Sequence, residues 1–308
     1  MKIDPIETAL AQLDDVPLRT PQGQKQIAKA LSGKSNLVAA KAARIVGEAL
    51  WPELTSDLAV AFDRFIARGA AGDKGCAATI AIARALFNLD HDDIDVYLKG
   101  IRHVQMEPVW GGSIDTASEL RAICAMGLAN TRYENTPRAL VGLLVDREWQ
   151  ARAGAVRALA VAGSEAALLL LRFKALSGDR EPEVIAECFT GLLSTEGAEA
   201  LPFVASFTGS KDEDIRGAAI LALGASRRAD AIEWMIERFA QVADMETRKC
   251  ILLSLATSRT EAAIAFVAGQ IREGSGQISE FALSAMEVNR GDPQIQARID
   301  DALRGRIK

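Results

Sequence analysis

Apolar residues recur along this chain in eight short segments, each with the spacing of one helical face. The segments start, at position 0, with Val38, Ala78, Leu120, Ala151, Val184, Ile215, Thr247 and Ile278. Position +4 is then small or apolar in every segment, from Ala42 and Ile82 to Ile251 and Ala282. Position +8 runs from Val46 and Leu86 to Leu255 and Met286, and +5 is apolar throughout. Positions 0, +4, +5 and +8 share one face of a helix, so they predict a buried stripe. Position +7 is small in seven of the eight segments, Ile45 being the exception, which lets the next helix come close. Successive starts are 40 and 42 residues apart, then 31 to 33. A repeat of that length predicts stacked helix pairs rather than a globule around one enclosed pocket.

The stripe belongs to the second helix of each pair, helix B. Its partner, helix A, is expected at 21–31, 52–68, 92–104, 137–145, 165–176, 198–208, 229–241 and 261–272. Thr20-Pro21 and Thr136-Pro137 each set a capping hydroxyl before a proline suited to the first helical turn. Asp4-Pro5 and Asp292-Pro293 open two flanking helices, about 5–14 and 293–304, richer in polar residues as end caps require. Gly33 and Gly69 stand where a left-handed residue would end a helix. The chain thus reads as one array over 1–308: an N-terminal cap to 19, repeats over 20–290, and a C-terminal cap from 291. Residues 105–116 break the rhythm, because Pro108, Gly111 and Gly112 forbid a continuous helix. Within that loop Trp110 either packs on a neighbour as a lid or contacts a partner. Packing is the favoured reading, and Trp110 stays among the candidate contact residues.

Composition narrows the chemistry. Hydrophobic residues make up 49% of the chain and aromatics only 5%, so the core is built largely of alanine, glycine and leucine. The net charge is −5, spread over both halves, which gives no basic footprint for nucleic acid. The start, Met-Lys-Ile-Asp-Pro, does not read as a secretory leader. No stretch has the apolar length of a membrane span, so a cytoplasmic location without membrane contact is expected. Cys76, Cys124, Cys188 and Cys250 lie in four different repeats without a paired spacing, so they read as small core residues rather than metal ligands. His91 and His103 are too separate for a triad and are expected at the surface. The acidic run Asp90, Asp92, Asp93 and Asp95 reads as a helix start, where the dipole favours acids. Neither a catalytic motif nor a cofactor or metal site is expected.

Two turns place an Asp six residues before an Arg: Asp115 with Arg121, and Asp146 with Arg152. Asp73 and Asp179 keep only the acid, Arg216 and Arg248 only the base. With the turns Gly163-Ser164-Glu165-Ala166 and Gly197-Ala198-Glu199-Ala200, and with Pro202 in helix A, the chain resembles the HEAT repeat superfamily. In particular it is similar to the short HEAT-like units first noted in phycobilisome bilin lyases. The resemblance spans nearly the whole chain and is clearest over about 137–290. It implies a right-handed α-solenoid of about eight helix pairs with capping helices. It also implies that Asp115, Arg121, Asp146, Arg152, Arg216 and Arg248 form a hydrogen-bonded ladder between units.

In such arrays helix B lines the concave face. With the stripe buried, positions +2 and +6 point outward. Position +6 reads Arg44, Arg84, Met126, Arg157, Thr190, Leu221, Leu253 and Ser284. Candidate partner-binding residues are therefore Arg44, Arg84, Met126, Arg157, Leu221 and Leu253, with Trp110. A register error of one residue would instead bury both leucines. The functional reading is a non-enzymatic scaffold that holds a protein or peptide in its groove. Because similar repeats also occur in a DNA glycosylase and in lyase subunits, two alternatives stand beside it: a nucleic-acid-binding protein, and an accessory subunit of a lyase or cofactor-attaching enzyme.

Overall fold

The computed structural model describes residues 4–306. Met1-Lys2-Ile3, on which the reading of the leader rests, and the last two residues of the C-terminal cap lie outside them. The chain divides into two compact units, Met1–Leu170 and Leu171–Lys308. In the first, α1 (Pro5–Asp14) precedes four helix pairs: α2 (Pro21–Ser32) with α3 (Asn36–Glu48), α4 (Thr55–Arg68) with α5 (Ala77–Asn88), α6 (Ile94–Gly100) with α7 (Ser118–Asn130), and α8 (Thr136–Leu140) with α9 (Trp149–Ala162). The boundary falls inside α10 (Glu165–Ser177). The second unit continues with α11 (Pro182–Thr195), α12 (Leu201–Ser206), α13 (Glu213–Ala225), α14 (Ala229–Gln241), α15 (Met245–Ser258), α16 (Glu261–Glu273), α17 (Gly276–Met286) and α18 (Pro293–Arg304). Both units are all-α stacks of helix pairs, apart from one hairpin. Short 3-10 turns at Pro52–Leu54, Val141–Val145, Gly197–Glu199 and Phe207–Gly209 complete the A helices.

The stripe is buried as the spacing predicts. Positions +4 and +8 are fully covered in every repeat, from Ala42 and Val46 to Ala282 and Met286. Ile215 at position 0 and Leu283 at +5 are half-buried instead. Within each unit consecutive B helices pack on one another: α3, α5, α7 and α9 in the first, α11, α13, α15 and α17 in the second. Small residues set the distance. A Cβ on Gly154 of α9 would lie 2.4 Å from the Ala122 methyl of α7, and one on Gly47 of α3 would lie 2.9 Å from the Ala85 Cα of α5. The expectation for position +2 fails in three repeats, where Ala40, Ala122 and Ala153 are buried, and holds for Lys249 and Glu280, which are exposed. Position +6 is exposed as expected in seven of the eight repeats, Met126 being half-buried. Leu221 and Leu253 retain 43% and 39% exposure, so the register stands.

The caps follow their chemistry with two exceptions. Asp4 accepts the Ile6 amide at 2.9 Å, Thr20 accepts that of Gly23 at 3.1 Å, and Asp292 accepts that of Gln294 at 3.0 Å. The flanking helices fall at the expected 5–14 and 293–304. Asp93 caps α6, so the acidic run does open a helix. Thr136, however, lies inside α8 and donates back to the Tyr133 carbonyl at 2.6 Å rather than capping. Gly69 has the positive φ of 52°, but Gly33 leaves α2 in extended backbone, its amide bonded to the Ala30 carbonyl. Residues 105–116 are not an irregular loop. They form an antiparallel hairpin, β1 (Met106–Val109) with β2 (Gly112–Asp115), around the two-residue turn Trp110-Gly111.

Leu223 at position +8 of α13 is fully covered. Leu223→Ala should therefore cost about 2–5 kcal/mol in urea unfolding of the whole chain, and an unchanged midpoint would overturn the assigned register.

Candidate functional site

Three successive +6 residues meet in the first unit. Arg84 from α5, Met126 from α7 and Arg157 from α9 line one open groove of about 840 Å³. Its apolar floor comes from Ile80, Phe87, Ile123 and Trp149. Residues spaced three or four apart, such as Ile80, Arg84 and Phe87 on α5 and Glu119, Ile123 and Met126 on α7, share this face of their helices. Arg84 pairs with Glu119 of α7 at 2.5 Å, and both side chains remain more than half exposed. Asp115 and Thr116, at the foot of β2, form part of the rim. Arg44 is exposed on α3 but is not among the groove's lining residues. In the second unit Leu221 of α13 and Leu253 of α15 stand exposed on adjacent packed helices. Trp110 is neither in the groove nor packed on a neighbour. It is fully exposed at the hairpin turn, which overturns the favoured packing reading.

The Asp and Arg residues of the turns are structural in a more specific way than their spacing alone conveys. The Arg121 guanidinium is buried between two carboxylates, 2.7 Å from Asp115 and 2.9 Å from Asp146, and donates to the His103 carbonyl at 2.9 Å. One cation thus ties its own turn to the turn of the next repeat. Arg152 donates to the Asp146 carbonyl at 2.8 Å, Arg216 to that of Ser210 at 2.8 Å, and Arg248 to that of Val242 at 2.5 Å. In all three the acceptor is the backbone six residues earlier, so an Arg at this place needs no Asp to be useful. The acids with no Arg six residues later are held by further donors. Asp73 is fully buried and accepts from the Ala78 and Thr79 amides, the Thr79 hydroxyl and the Asn36 amide group. Asp179 pairs with Lys174 at 2.7 Å. Thr79 sits six residues after Asp73, in the place that Arg takes in other turns.

The hairpin root is a second polar cluster that the spacing did not disclose. Glu107 is buried and accepts from the Gly75 amide at 2.6 Å, the Gln105 side chain at 2.7 Å and the Thr116 hydroxyl at 2.9 Å. Gln105 also donates to the Asp73 carbonyl at 2.9 Å, joining the hairpin to the preceding turn. Gly75 can present its amide there because it adopts φ 68°. That amide, with Gln105, Thr116 and the nearby charge of Lys74, holds the Glu107 carboxyl below the usual range against the opposing effect of burial. For Asp115 burial raises the carboxyl, but the Ala117 and Gln105 amides and Arg121 outweigh it and leave it lowered.

Cys124 and Cys188 are buried at position +4, and burial pushes the Cys188 thiol up to about 12. Cys76 is buried in the turn before α5, and Cys250 is half-buried. His91 and His103 are both half-buried. Among the described residues no group of three or more His, Cys, Asp or Glu is placed to hold a metal ion. Also among the described residues, no helix is long and apolar enough to cross a membrane.

Residues 171–256 match the family model described as HEAT repeats, which covers most of the second unit. No curated protein matches the chain. Among solved structures the chain is similar to the complex of CpcE and CpcF of phycocyanin lyase from Nostoc sp. PCC7120, at 14% identity over 92% of this chain and 97% of that one, with a TM-score of 0.37. It is similar also to human deoxyhypusine hydroxylase in complex with glycerol, at 16% identity over 82% and 89%, with a TM-score of 0.31. An engineered protein is 18% identical over 97% and 90%, with a TM-score of 0.36. Likenesses of this size carry nothing about activity to this chain.

Two outcomes follow from the polar clusters. Arg121→Ala leaves two facing carboxylates without their shared cation, and should cost about 3–5 kcal/mol in chemical unfolding. Glu107, lowered in the fold, stabilises above its unfolded value of about 4.3, and that contribution is lost as pH falls toward the folded value. Glu107→Gln should therefore flatten the acid limb of the melting temperature plotted against pH, whereas a limb that keeps its slope would refute the anchor role.

Proposed function

We propose that this chain is a non-catalytic helical-repeat binding protein that holds a protein or peptide partner on the helix-B face of its first unit. The observation that carries this reading is the meeting of Arg84, Met126 and Arg157 in one open groove. An apolar floor between two guanidiniums suits a peptide segment. Its side chains can displace water from the floor while its carboxylates or carbonyls take up the guanidinium donors. The groove's two acids, Asp115 and Glu119, are each engaged by an arginine rather than free to act on a substrate. Leu221 and Leu253 give the second unit an apolar counterpart at the same repeat position, of the kind that marks contact surfaces.

The test is capture of partners by the tagged full-length chain, with wild type compared to Arg84→Glu and to Arg84→Glu combined with Arg157→Glu. Arg84 and Glu119 form an exposed pair, worth at most about 1 kcal/mol, so Arg84→Glu should fold normally. Capture should weaken at the first substitution and fail at the second, with the melting temperature of Arg84→Glu unchanged. Capture that both variants keep would show that the groove is not the contact face. A captured nucleic acid whose affinity falls steeply with salt would replace the partner class.

A further inference from the structure

The second unit repeats an exposed carboxylate on the face that carries its leucines. Glu183, Asp214 and Glu246 stand at position −1 of α11, α13 and α15, and all three are exposed. Position −1 precedes +6 by two helical turns, so both point the same way from a helix. On α13 and α15 the carboxylate is therefore followed, about 10 Å along the helix, by Leu221 or Leu253. Capping does not require these acids. Asp212 and Asp244 already cap α13 and α15 through the amides of Ile215 and Thr247. The helix dipole favours an acid in the first turn. Yet the same position in the first unit holds Leu37, Ala77, Glu119 and Gln150, so the stack folds there with a single acid.

The first unit shows what such a carboxylate receives. Glu119, at −1 of α7, takes Arg84 from +6 of the preceding α5 at 2.5 Å. In the second unit the +6 residues ahead of Asp214 and Glu246 are Thr190 and Leu221, which bring no charge. Among the described residues Asp214 forms no ion pair, and Glu246 meets only Lys249 of its own helix, at 3.9 Å. The Lys249 ammonium also lies 5.3 Å from the centroid of the Phe281 ring on α17. The place that Arg84 fills in the first unit is thus left for a cation from outside, beside a leucine.

Between the carboxylate and leucine rows lies Gly217, at +2 of α13, where an added Cβ would meet nothing within 4 Å. A peptide backbone can lie there against the helix, its cations toward the acids and its apolar side chains toward the leucines. Packed helices sit roughly 8–10 Å apart, a distance that an extended chain covers in about three residues. We propose that this face of the second unit binds an extended segment of a partner protein that carries Lys or Arg three residues apart, with apolar residues alongside. Charge selects that occupant. An acidic segment or a nucleic acid is repelled by the carboxylates, and a bilayer that covered the leucines would strip water from the carboxylates beside them. This surface is separate from the groove and stands whether or not the groove reading holds.

The test selects displayed random peptides on the full-length chain at low salt, then titrates the recovered sequences, synthesised, by fluorescence anisotropy. They should carry a pair of Lys or Arg three residues apart. Asp214→Asn combined with Glu246→Gln should weaken their binding about tenfold, as loss of two exposed ion pairs does. Leu221→Ser combined with Leu253→Ser should weaken it as well, and Arg84→Glu should leave it unchanged. The acid variant should keep the wild-type melting temperature, because both altered side chains are exposed. Peptides without the cation pair, peptides whose affinity survives Asp214→Asn with Glu246→Gln, or no recovered peptides would each overturn the proposal. So would peptides that only Arg84→Glu loses, since these belong to the groove.

Discussion

The distance between neighbouring B helices is the constraint on which both units depend. A repeat of some thirty residues has two neighbours and no enclosed interior, so nearly all its apolar burial comes from those contacts. The helices reach them by bringing backbone against backbone. Gly47 at position +9 of α3 meets Ala85 at +7 of α5, and Gly224 at +9 of α13 meets Ser254 at +7 of α15. The same pair of positions thus closes a step in each unit. At these steps the small +7 residue faces the preceding B helix, whereas Gly127 at +7 of α7 makes room for the Tyr97 ring of α6. Ser254 also shows how a polar residue is tolerated there: its hydroxyl donates to the Ile220 carbonyl of the preceding helix at 2.7 Å.

Close packing of the helices leaves their connecting turns to be satisfied by side chains. The solutions differ from turn to turn, yet each brings a donor to a buried acceptor. Arg121 neutralises two carboxylates at once, a geometry in which both fork edges of the guanidinium are used. Arg216 and Arg248 keep the same place without an acid because a backbone carbonyl takes their proton donors. Asp73 keeps its place without an Arg because amides at the start of α5, with Thr79 and Asn36, supply the donors. What these turns share is satisfied polar groups, not a particular ion pair.

That is also why the sequence disclosed some features and hid others. The columns at +4, +6 and +8 were legible because burial repeats eight times with one period. The flanking helices were legible because Asp-Pro is a local signal that the backbone obeys alone. Gly33 was misassigned since a glycine after a helix permits an extended exit as easily as a left-handed one, and the Ala30 carbonyl selects the former. Thr136 was misassigned because its hydroxyl found the Tyr133 carbonyl behind it. The hairpin was hidden because its strands hold only four residues each and its stability comes from Glu107, whose partners lie as far off in sequence as Gly75. Trp110 was read as packed on the rule that large aromatics seek cover, which fails here because it sits at the exposed turn between two short strands.

The candidate site follows from what packing leaves unassigned. On each B helix the stripe occupies 0, +4, +5 and +8, close packing keeps +7 small in all repeats but the first, and +2 is buried at Ala40, Ala122 and Ala153. Position +6 is the point on that face that no fold requirement fixes, so its chemistry is free to vary while the stack stays the same. Along the chain it does vary: guanidinium, thioether and guanidinium in the groove of the first unit, then leucine on α13 and α15. A position left open in seven of eight repeats, carrying three arginines in one unit and two leucines in the other, is where a repeat protein can carry recognition without altering its fold. Arg84 is the clearest instance, since its ion pair with Glu119 is exposed and holds nothing else in place.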